Sequence, residues 1–534
     1  QKMQKAIEMG KTSAKGSLEL FIGVAASTII MAVGTIILAR LMTPEEYGLY
    51  SVALIPSYTA IIFRDWGVNS AITKYIASLR AENKEEKTRE IIKAGILFEA
   101  VVGLILSVLL ASIAGFIAST IFQRPESSRL ISVASITVFA GALLTASQAT
   151  FIGFERMKLN SLTTVCQAVV KTLVAPLLVL AGYSALGAVL GYTLSFIAAS
   201  LIGLIILYIS IFRRIERKNL QKSSLSKTLG EMLHYGVPLS ISSILAGFLQ
   251  QFYAFLMAIY CTDAMIGNYQ VATQFATLLT FFTFPISTVL FPAFSKINPQ
   301  DERELLQTVF TSSVKYTTLV LIPATMAIMV LSKPMIGALF GEKWDYAPLF
   351  LTLYVINNLS VMFGSLSMGS LLSGLGETKL LMKLSLLTLM LGIPLSLFLI
   401  PTMGITGLIL TLILEGKPSM AIGLHRIWKR YKAKVDIKAS AKVFAASLVA
   451  SAATFLALNV VAYVDWIELV IGGVTFLLTF LVFATLIGAI NASDVQNLRL
   501  MFSGLGVISK MLEAPLILVN KLLKAGKAAN YKFR

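Results

Sequence analysis

The chain has 534 residues, 56% of them hydrophobic and only 13% charged, with a mean hydropathy of +0.80, which excludes a string of ordinary soluble domains. Its net charge of +18 would suit nucleic acid if the basic residues shared one solvated face. They are scattered instead over short loops between apolar runs, so no nucleic-acid partner is expected and the charge reads as membrane topology.

In chain order, Lys2 to Lys15 alternates Lys with Ile and Met, which suits a short interfacial helix or a solvated tail. Apolar segments long enough to cross a bilayer as helix, about 20 residues or more, follow at 16–41, 47–79, 91–122, 128–153, 157–181 and 184–212. The first lacks a cleavage site and is expected to be retained. A basic stretch from Arg213 to Lys227 precedes 230–260, 264–294, 304–331, 346–373, 378–400 and 403–428. A second, Lys429 to Lys438, precedes 439–463, 466–490 and a basic amphipathic tail. The expected fold is an all-α integral membrane protein of about 14 transmembrane helices. Its parts would be an interfacial helix (1–15), an N-lobe of helices 1–6 (16–213), a basic linker (214–228) and a C-lobe of helices 7–12 (229–430). Helices 13–14 (431–493) and a cytoplasmic tail (494–534) would complete it.

Loop charge orients the chain. Arg80, Lys84, Lys87 and Arg89, then Arg156 and Lys158, then the cations from Arg213 to Lys227 all fall on even-numbered connections, and later even loops continue the pattern. Odd loops offer only Arg40, Arg124, Arg129, Lys333 and Lys343. Lys and Arg mark the inner side, so both termini are expected in the cytoplasm.

An internal repeat accompanies this topology. Leu41–Ala53 (LMTPEEYGLYSVA) and Tyr260–Ala272 (YCTDAMIGNYQVA) share Thr, Gly, Tyr, Val and Ala at one spacing, each between the first and second segments of its half. GFERMK ending at Lys158 and GLGETK ending at Lys379 form a second match, after the fourth segment of each half. An even number of helices separates the copies, so the repeats should be parallel.

LARLMTPEEYGLYSVA with DWGVNSAITKYIA, then GNYQVATQF with TVLFPAFSKI, resembles the polysaccharide and lipid-linked oligosaccharide flippases of the multidrug/oligosaccharidyl-lipid/polysaccharide (MOP) exporter superfamily. The resemblance covers the first twelve segments. It implies two lobes that rock to open a central cavity alternately to either side, with the last two helices supplying a lipid groove. One departure stands out: many relatives carry an acidic residue on the seventh helix where this chain has Gln250-Gln251.

Charges within the apolar segments are the strongest site candidates, because each costs a few kcal/mol unless it meets a cavity or a partner. Arg64-Asp65 lies midway along the second segment between Pro56 and Gly67, where the second half has Thr283-Phe284. Arg64 could line a cavity, or the two could join an Arg–Asp structural pair between helices. Lys171, Lys315, Glu415 and Lys417 raise the same choice between cavity lining and snorkelling or pairing. For Glu19 and Glu99, nearer the inner boundary, snorkelling or pairing is the better expectation. Uncharged polar groups gather on the second, seventh and eighth segments: Asn69, Gln250, Gln251 and Tyr253, then Asn268, Tyr269, Gln270 and Gln274. Amides and aromatic faces suit sugars and basic groups suit phosphate, although such groups also bond between helices.

Several chemistries are missing from the sequence. Gly10-Lys11-Thr12 ends like a nucleotide loop, but the Gly required five positions earlier is Lys5. His234 and His425 have no ligand set around them, and Cys166 and Cys261 have no CxxC partner, so no metal or other cofactor is expected. No loop could house a catalytic domain, so no enzyme is expected. The expected function is a flippase carrying a polyprenyl (di)phosphate-linked oligosaccharide from the cytoplasmic to the outer leaflet. The alternative is a cation-coupled multidrug exporter of the same superfamily, which would want unpaired buried carboxylates where this chain leans basic. The expected partners are the lipid-linked oligosaccharide, membrane lipids and glycan-assembly enzymes, for a monomer in the cytoplasmic membrane.

Overall fold

The computed structural model describes residues 2–82, 84–215, 225–276, 294, 297–460, 464–502, 517–521 and 523. The regular structure of the described residues is helical, with no strand among them. Contacts divide the chain into two units, 1–267 and 268–534.

The first unit opens with α1 (Lys2–Leu41), in which the expected interfacial helix and first segment run on as one helix. Helix α2 (Pro44–Arg64) starts at a capping box: Thr43 Oγ1 accepts from Glu46 N at 3.2 Å and Glu46 Oε2 from Thr43 N at 2.9 Å, with Pro44 in the first turn. The second apolar segment is not one helix. It breaks at Asp65–Gly67, where Gly67 has φ 77°, and resumes as α3 (Val68–Ala81), while Pro56 stays inside α2. The break is where α8 (Leu225–Tyr260) crosses: a Cβ on Gly67 would fall 2.1 Å from the Gly236 carbonyl oxygen. Only paired glycines allow that approach.

Helix α3 buries Val68, Ala71, Ile72 and Ile76, spaced along one face, against Ile92 of α4 (Glu85–Phe116), Ala149 and Phe151 of α5 (Ser127–Gly153), and Met232 of α8. Helix α6 (Met157–Leu178) packs with α1 on one side and with α7 (Ser184–Ser210) on another through small residues. A Cβ on Gly34 would meet Thr172, and one on Gly191 would meet Ala175 backbone at 2.3 Å. Close approach of this kind replaces the hydrophobic drive that is missing between helices in lipid.

The helix over 263–276, α9, begins as α2 does. Met42 N bonds Leu38 O (3.0 Å) as Cys261 N bonds Met257 O (2.9 Å), and Tyr47 N bonds Thr43 O as Ile266 N bonds Thr262 O, both at 3.0 Å. Thr262 Oγ1 accepts from Met265 N (3.5 Å) where Thr43 accepts from Glu46 N. The Thr283-Phe284 counterpart of Arg64-Asp65 lies outside the described residues.

The second unit holds α10 (Arg303–Val330), α11 (Ser332–Phe340), α12 (Ala347–Val355) with a 3-10 stretch Ile356–Phe363, α13 (Ser365–Gly374), α14 (Thr378–Met403), α15 (Ile405–Leu414) and α16 (Gly416–Tyr431). Helices α17 (Ile437–Val460) and α18 (Asp465–Leu486) follow, packing Val443, Ala446, Phe476 and Phe480 on Leu319, Ile322 and Met326 of α10. Asn268, buried in this unit, accepts from the N–H groups of Tyr346 (3.1 Å) and Ala347 (3.0 Å) at the start of α12, where helix donors have no partner of their own.

Ten described helices are long and apolar enough to cross a membrane, and a pair bent by 58°, Ala347–Phe363 with Ser365–Gly374, would make an eleventh. The expected fourteen are therefore not all seen as separate spans. The fifth and sixth, although continuous over Met157–Arg214 by hydropathy, are the separate helices α6 and α7, which turn back on each other at Gly182 (φ 92°); the second is broken at Gly67, and most of the eighth lies outside the described residues.

Candidate functional site

Arg64 is not open to a cavity. At 2% exposure it is enclosed by α2, α4 and α5. Its Nη1 donates to Val138 O (3.2 Å), its Nη2 to Thr145 Oγ1 (2.8 Å), and its Nε lies 3.1 Å from Glu99 Oε2. That last approach is an ion pair too oblique for a hydrogen bond, so both atoms lack one. The other Glu99 oxygen accepts from Asn69 Nδ2 at 2.9 Å, tying α3 into the same cluster. Helix α5 is shaped for the guanidinium, since a Cβ on Gly141 would stand 3.2 Å from Nη1. Asp65 takes no part in pairing Arg64. It is half-buried at the end of α2, and its Oδ1 accepts from Asn69 N at 3.5 Å.

Lys171 has a different setting. It is half-buried on α6, has no carboxylate partner among the described residues, and its Nζ stands 5.1 Å from the Tyr192 ring centre. It lines a cavity of only about 20 Å³, room for one water, with Thr172 and the buried Tyr47 and Tyr50. Tyr47 and Tyr50 meet edge to face at 5.8 Å, and Tyr58, further along α2, meets Tyr192 edge to face at 6.2 Å. Sequence reasoning missed these tyrosines. Their signal was legible, because positions 47, 50 and 58 fall on one face of a helix. A cation beside one aromatic ring and without a carboxylate partner can take an anion where the space around it widens.

In the second unit a cavity of about 170 Å³ is lined by Tyr354, Asn357 and Asn358 at the 3-10 break, by Ile409 and Leu412 of α15, and by Glu415 at the junction of α15 and α16. Lys417 Nζ donates to Asn357 Oδ1 at 3.0 Å beside it. Tyr269 meets Tyr354 edge to face at 6.2 Å. Breaks in helices at membrane depth free backbone polar groups and are tolerated where they border a cavity. Tyr354, Asn357 and Asn358 are further groups missed in the sequence, because a polar pair inside an apolar run does not by itself declare a break.

The remaining candidates lie apart. Lys315 Nζ sits 2.7 Å from both carboxylate oxygens of Asp494, which is 2% exposed and on α19 (Ala492–Phe502), so the first residue of the expected tail is buried in an ion pair. Gln250 is exposed on α8, Gln251 is half-buried with its Oε1 lacking a hydrogen bond, and Tyr253 is buried. Gln270 is half-buried and Gln274 exposed on α9.

The described residues, helical and many-span with broken helices bordering polar cavities, share the fold of a solved multidrug transporter of the MOP superfamily. The chain belongs to the polysaccharide biosynthesis protein family, whose model matches residues 37–348, and the resemblance drawn from the motifs is borne out. It is 25% identical over 380 residues to the lipopolysaccharide biosynthesis protein WzxC of Escherichia coli K12, covering 69% of this chain and 72% of that one. It is 23% identical over 185 residues to the probable low-salt glycan biosynthesis flippase Agl15 of Haloferax volcanii, covering 34% of this chain and 38% of that one. The lipid II flippase MurJ in an inward closed conformation shares the fold, with a TM-score of 0.69 at 15% identity over 88% of this chain and 98% of that one.

Proposed function

We propose that this protein is a flippase that moves a polyprenyl phosphate- or diphosphate-linked oligosaccharide from the cytoplasmic to the outer leaflet by alternating access. The observation that carries the reading is Lys171, a cation without a carboxylate partner among the described residues, standing over the Tyr192 ring in the membrane-spanning part of a chain whose relatives include a probable glycan flippase. The physical task is to hold a charged, hydroxylated head away from hydrocarbon while its tail remains there. In a conformation that widens this cavity, Lys171 meets the phosphate as a point charge, and Tyr47, Tyr50 and Tyr192, buried here, offer faces to sugar rings. Arg64, enclosed here with Glu99, joins only in a conformation that uncovers it, where a phosphate exchanges for the oblique Glu99 ion pair. Tyr269, Asn357, Glu415 and Lys417 bond hydroxyls in the second half, with Gln250, Gln251, Gln270 and Gln274 adding amides.

In this reading the two six-helix repeats are the moving parts. The protein works as a monomer with both termini in the cytoplasm, beside the enzymes that assemble its substrate. Its work is transport, not catalysis. The test is flipping of a fluorescent lipid-linked oligosaccharide by the full chain in vesicles. Lys171→Gln should slow it by about tenfold or more, the worth of one charge-assisted contact, and Lys171→Arg should restore part of the rate. Unchanged flipping by Lys171→Gln would discard the site, and no flipping by the parent chain would discard the function.

A further inference from the structure

Each half of the chain carries a basic cleft at the same turn. In the first, α5 ends and α6 begins through a turn in which Phe154 N bonds Thr150 O (3.0 Å), Arg156 N bonds Phe151 O (2.8 Å) and Glu155 takes φ 57°. In the second, α13 passes to α14 through Leu375 N to Leu371 O (2.9 Å), Glu377 N to Leu372 O (2.9 Å) and Gly376 at φ 72°. The two turns are one left-handed cap, repeated. Each stands beside the end of its half's sixth expected helix, at Ser210–Ile215 and at Arg426–Tyr431. Against each turn lies a cavity, of about 310 Å³ in the first unit and about 470 Å³ in the second.

Cations crowd both cavities. Arg80, Lys84, Arg156 and Arg214 line the first. Lys84 is held by Glu82 at 2.6 Å and Arg80 stacks over Phe154 at 5.0 Å, but Arg80, Arg156 and Arg214 have no carboxylate partner among the described residues. In the second, Glu377 engages Arg430 and Tyr431, while Lys379, Lys383, Arg426 and Lys429 have no such partner. The positive-inside tendency accounts for basic loops, but not for like charges gathered into a concave site in both halves.

What lies beside the clefts distinguishes a lipid from a soluble anion. Below the second cleft, Met382, Leu386, Met390 and Leu397 form an exposed apolar stripe along α14. Below the first, Leu201, Ile205, Tyr208 and Ile209 do the same along α7. Each cleft therefore joins a cationic recess to a hydrocarbon-facing groove wall, the amphipathic pattern of a phospholipid at the leaflet boundary.

We infer that each cleft binds the phosphate headgroup of an anionic phospholipid of the leaflet it faces, with the acyl chains along the adjoining stripe. The leaflet is the cytoplasmic one if the loop charges orient the chain as expected. The inference does not need the flippase reading, and binding is measured without transport.

The experiment uses the full chain in nanodiscs of phosphatidylcholine doped with phosphatidylglycerol, with retained phosphatidylglycerol counted by native mass spectrometry. One variant joins Lys379→Gln, Lys383→Gln and Arg426→Gln; another joins Arg80→Gln, Arg156→Gln and Arg214→Gln. A charge-matched control joins Lys227→Gln, Lys434→Gln and Lys438→Gln, which lie outside both clefts. Each cleft variant should lose one retained lipid, with affinity for it down by about a hundredfold for three cations removed, and the control should keep both. Arg in place of Lys379 and Lys383 should keep the lipid and shows that the fold survives change there. Equal loss in the control would overturn the inference in favour of general surface charge. Displacement of the lipid by millimolar inorganic phosphate would overturn it in favour of a soluble anion.

Discussion

Gly48 lies against the backbone of Asp263, so closely that a Cβ there would fall 1.8 Å from the Asp263 carbonyl oxygen. The contact is reciprocal: a Cβ on Gly267 would fall 2.1 Å from the Pro44 carbonyl oxygen. Gly48 and Gly267 hold the same place in the two motif copies, and so do Pro44 and Asp263. The starts of α2 and α9 therefore cross about a local two-fold relation that only glycine permits.

Gly48→Ala and Gly267→Ala should each destabilise the protein by about 1–3 kcal/mol, as overpacking against backbone does. Thermal unfolding in detergent measures this. Gly473→Ala, with open space around its Cβ, should change little and serves as the comparison.

Arg124 secures the same crossing. It pairs with Asp263 (Nε to Oδ1, 2.6 Å) and donates to Phe122 O (2.9 Å), Cys261 O (2.6 Å) and Ala258 O. Arg124→Ala should cost about 3 kcal/mol, because it strands Asp263 and three carbonyls, and Arg124→Lys should recover only part, lacking the fork.

Burial pushes the Asp263 carboxyl above its usual value of 3.8, and Arg124 only partly opposes the rise. A carboxyl raised in the folded state stabilises the fold while protonated. Its contribution is complete below pH 3.8 and is lost as pH climbs through the raised value. The slope of stability against pH over that window should flatten in Asp263→Asn, and an unchanged slope would assign it to another group.

Removing Arg64 alone should be worse than removing its whole pair. Arg64→Ala leaves Glu99, fully buried, with only Asn69, and should cost about 3–5 kcal/mol. The double substitution Arg64→Met with Glu99→Leu should lie well above the sum of its parts in melting temperature. Additive losses in that cycle would show that the two side chains are not coupled.

Lys315 and Asp494 form the second test of this kind, since Asp494 also accepts from Tyr316 Oη (3.3 Å) and from Asn491 N (2.9 Å). Lys315→Met should destabilise less than Asp494→Leu, which empties every one of these bonds. Unfolding of the full chain in detergent ranks them, and the reverse order would show that the cation, not the acid, organises the end of α19.

Much of the architecture was legible before any coordinates. Apolar runs of about 20 residues force helices in lipid, and the spans at 127–153, 303–330, 378–403 and 437–460 fall close to the segments expected. The Thr-Gly-Tyr motif pair proved to be more than shared letters, since the threonine cap and the backbone hydrogen bonds around it repeat, although the Glu46 half of the capping box has no counterpart at Met265. The break at Asp65–Gly67 was half legible: Gly67 and Pro56 both stood out as breakers, and only the approach of Gly236 selects the glycine.

The amino-acid sequence by itself determined the solvent, the helical class, the loop-charge pattern and the two motif copies, because hydropathy, capping and turn chemistry act over a few neighbouring residues. Only tertiary structure decided which buried charges are committed. Arg64 meets Glu99 rather than the adjacent Asp65, Lys315 meets Asp494, and Lys171 meets the Tyr192 ring. Adjacent side chains on a helix diverge by about 100°, so an ion within a span finds its partner on another helix, and helix packing, which no local pattern records, chooses which one.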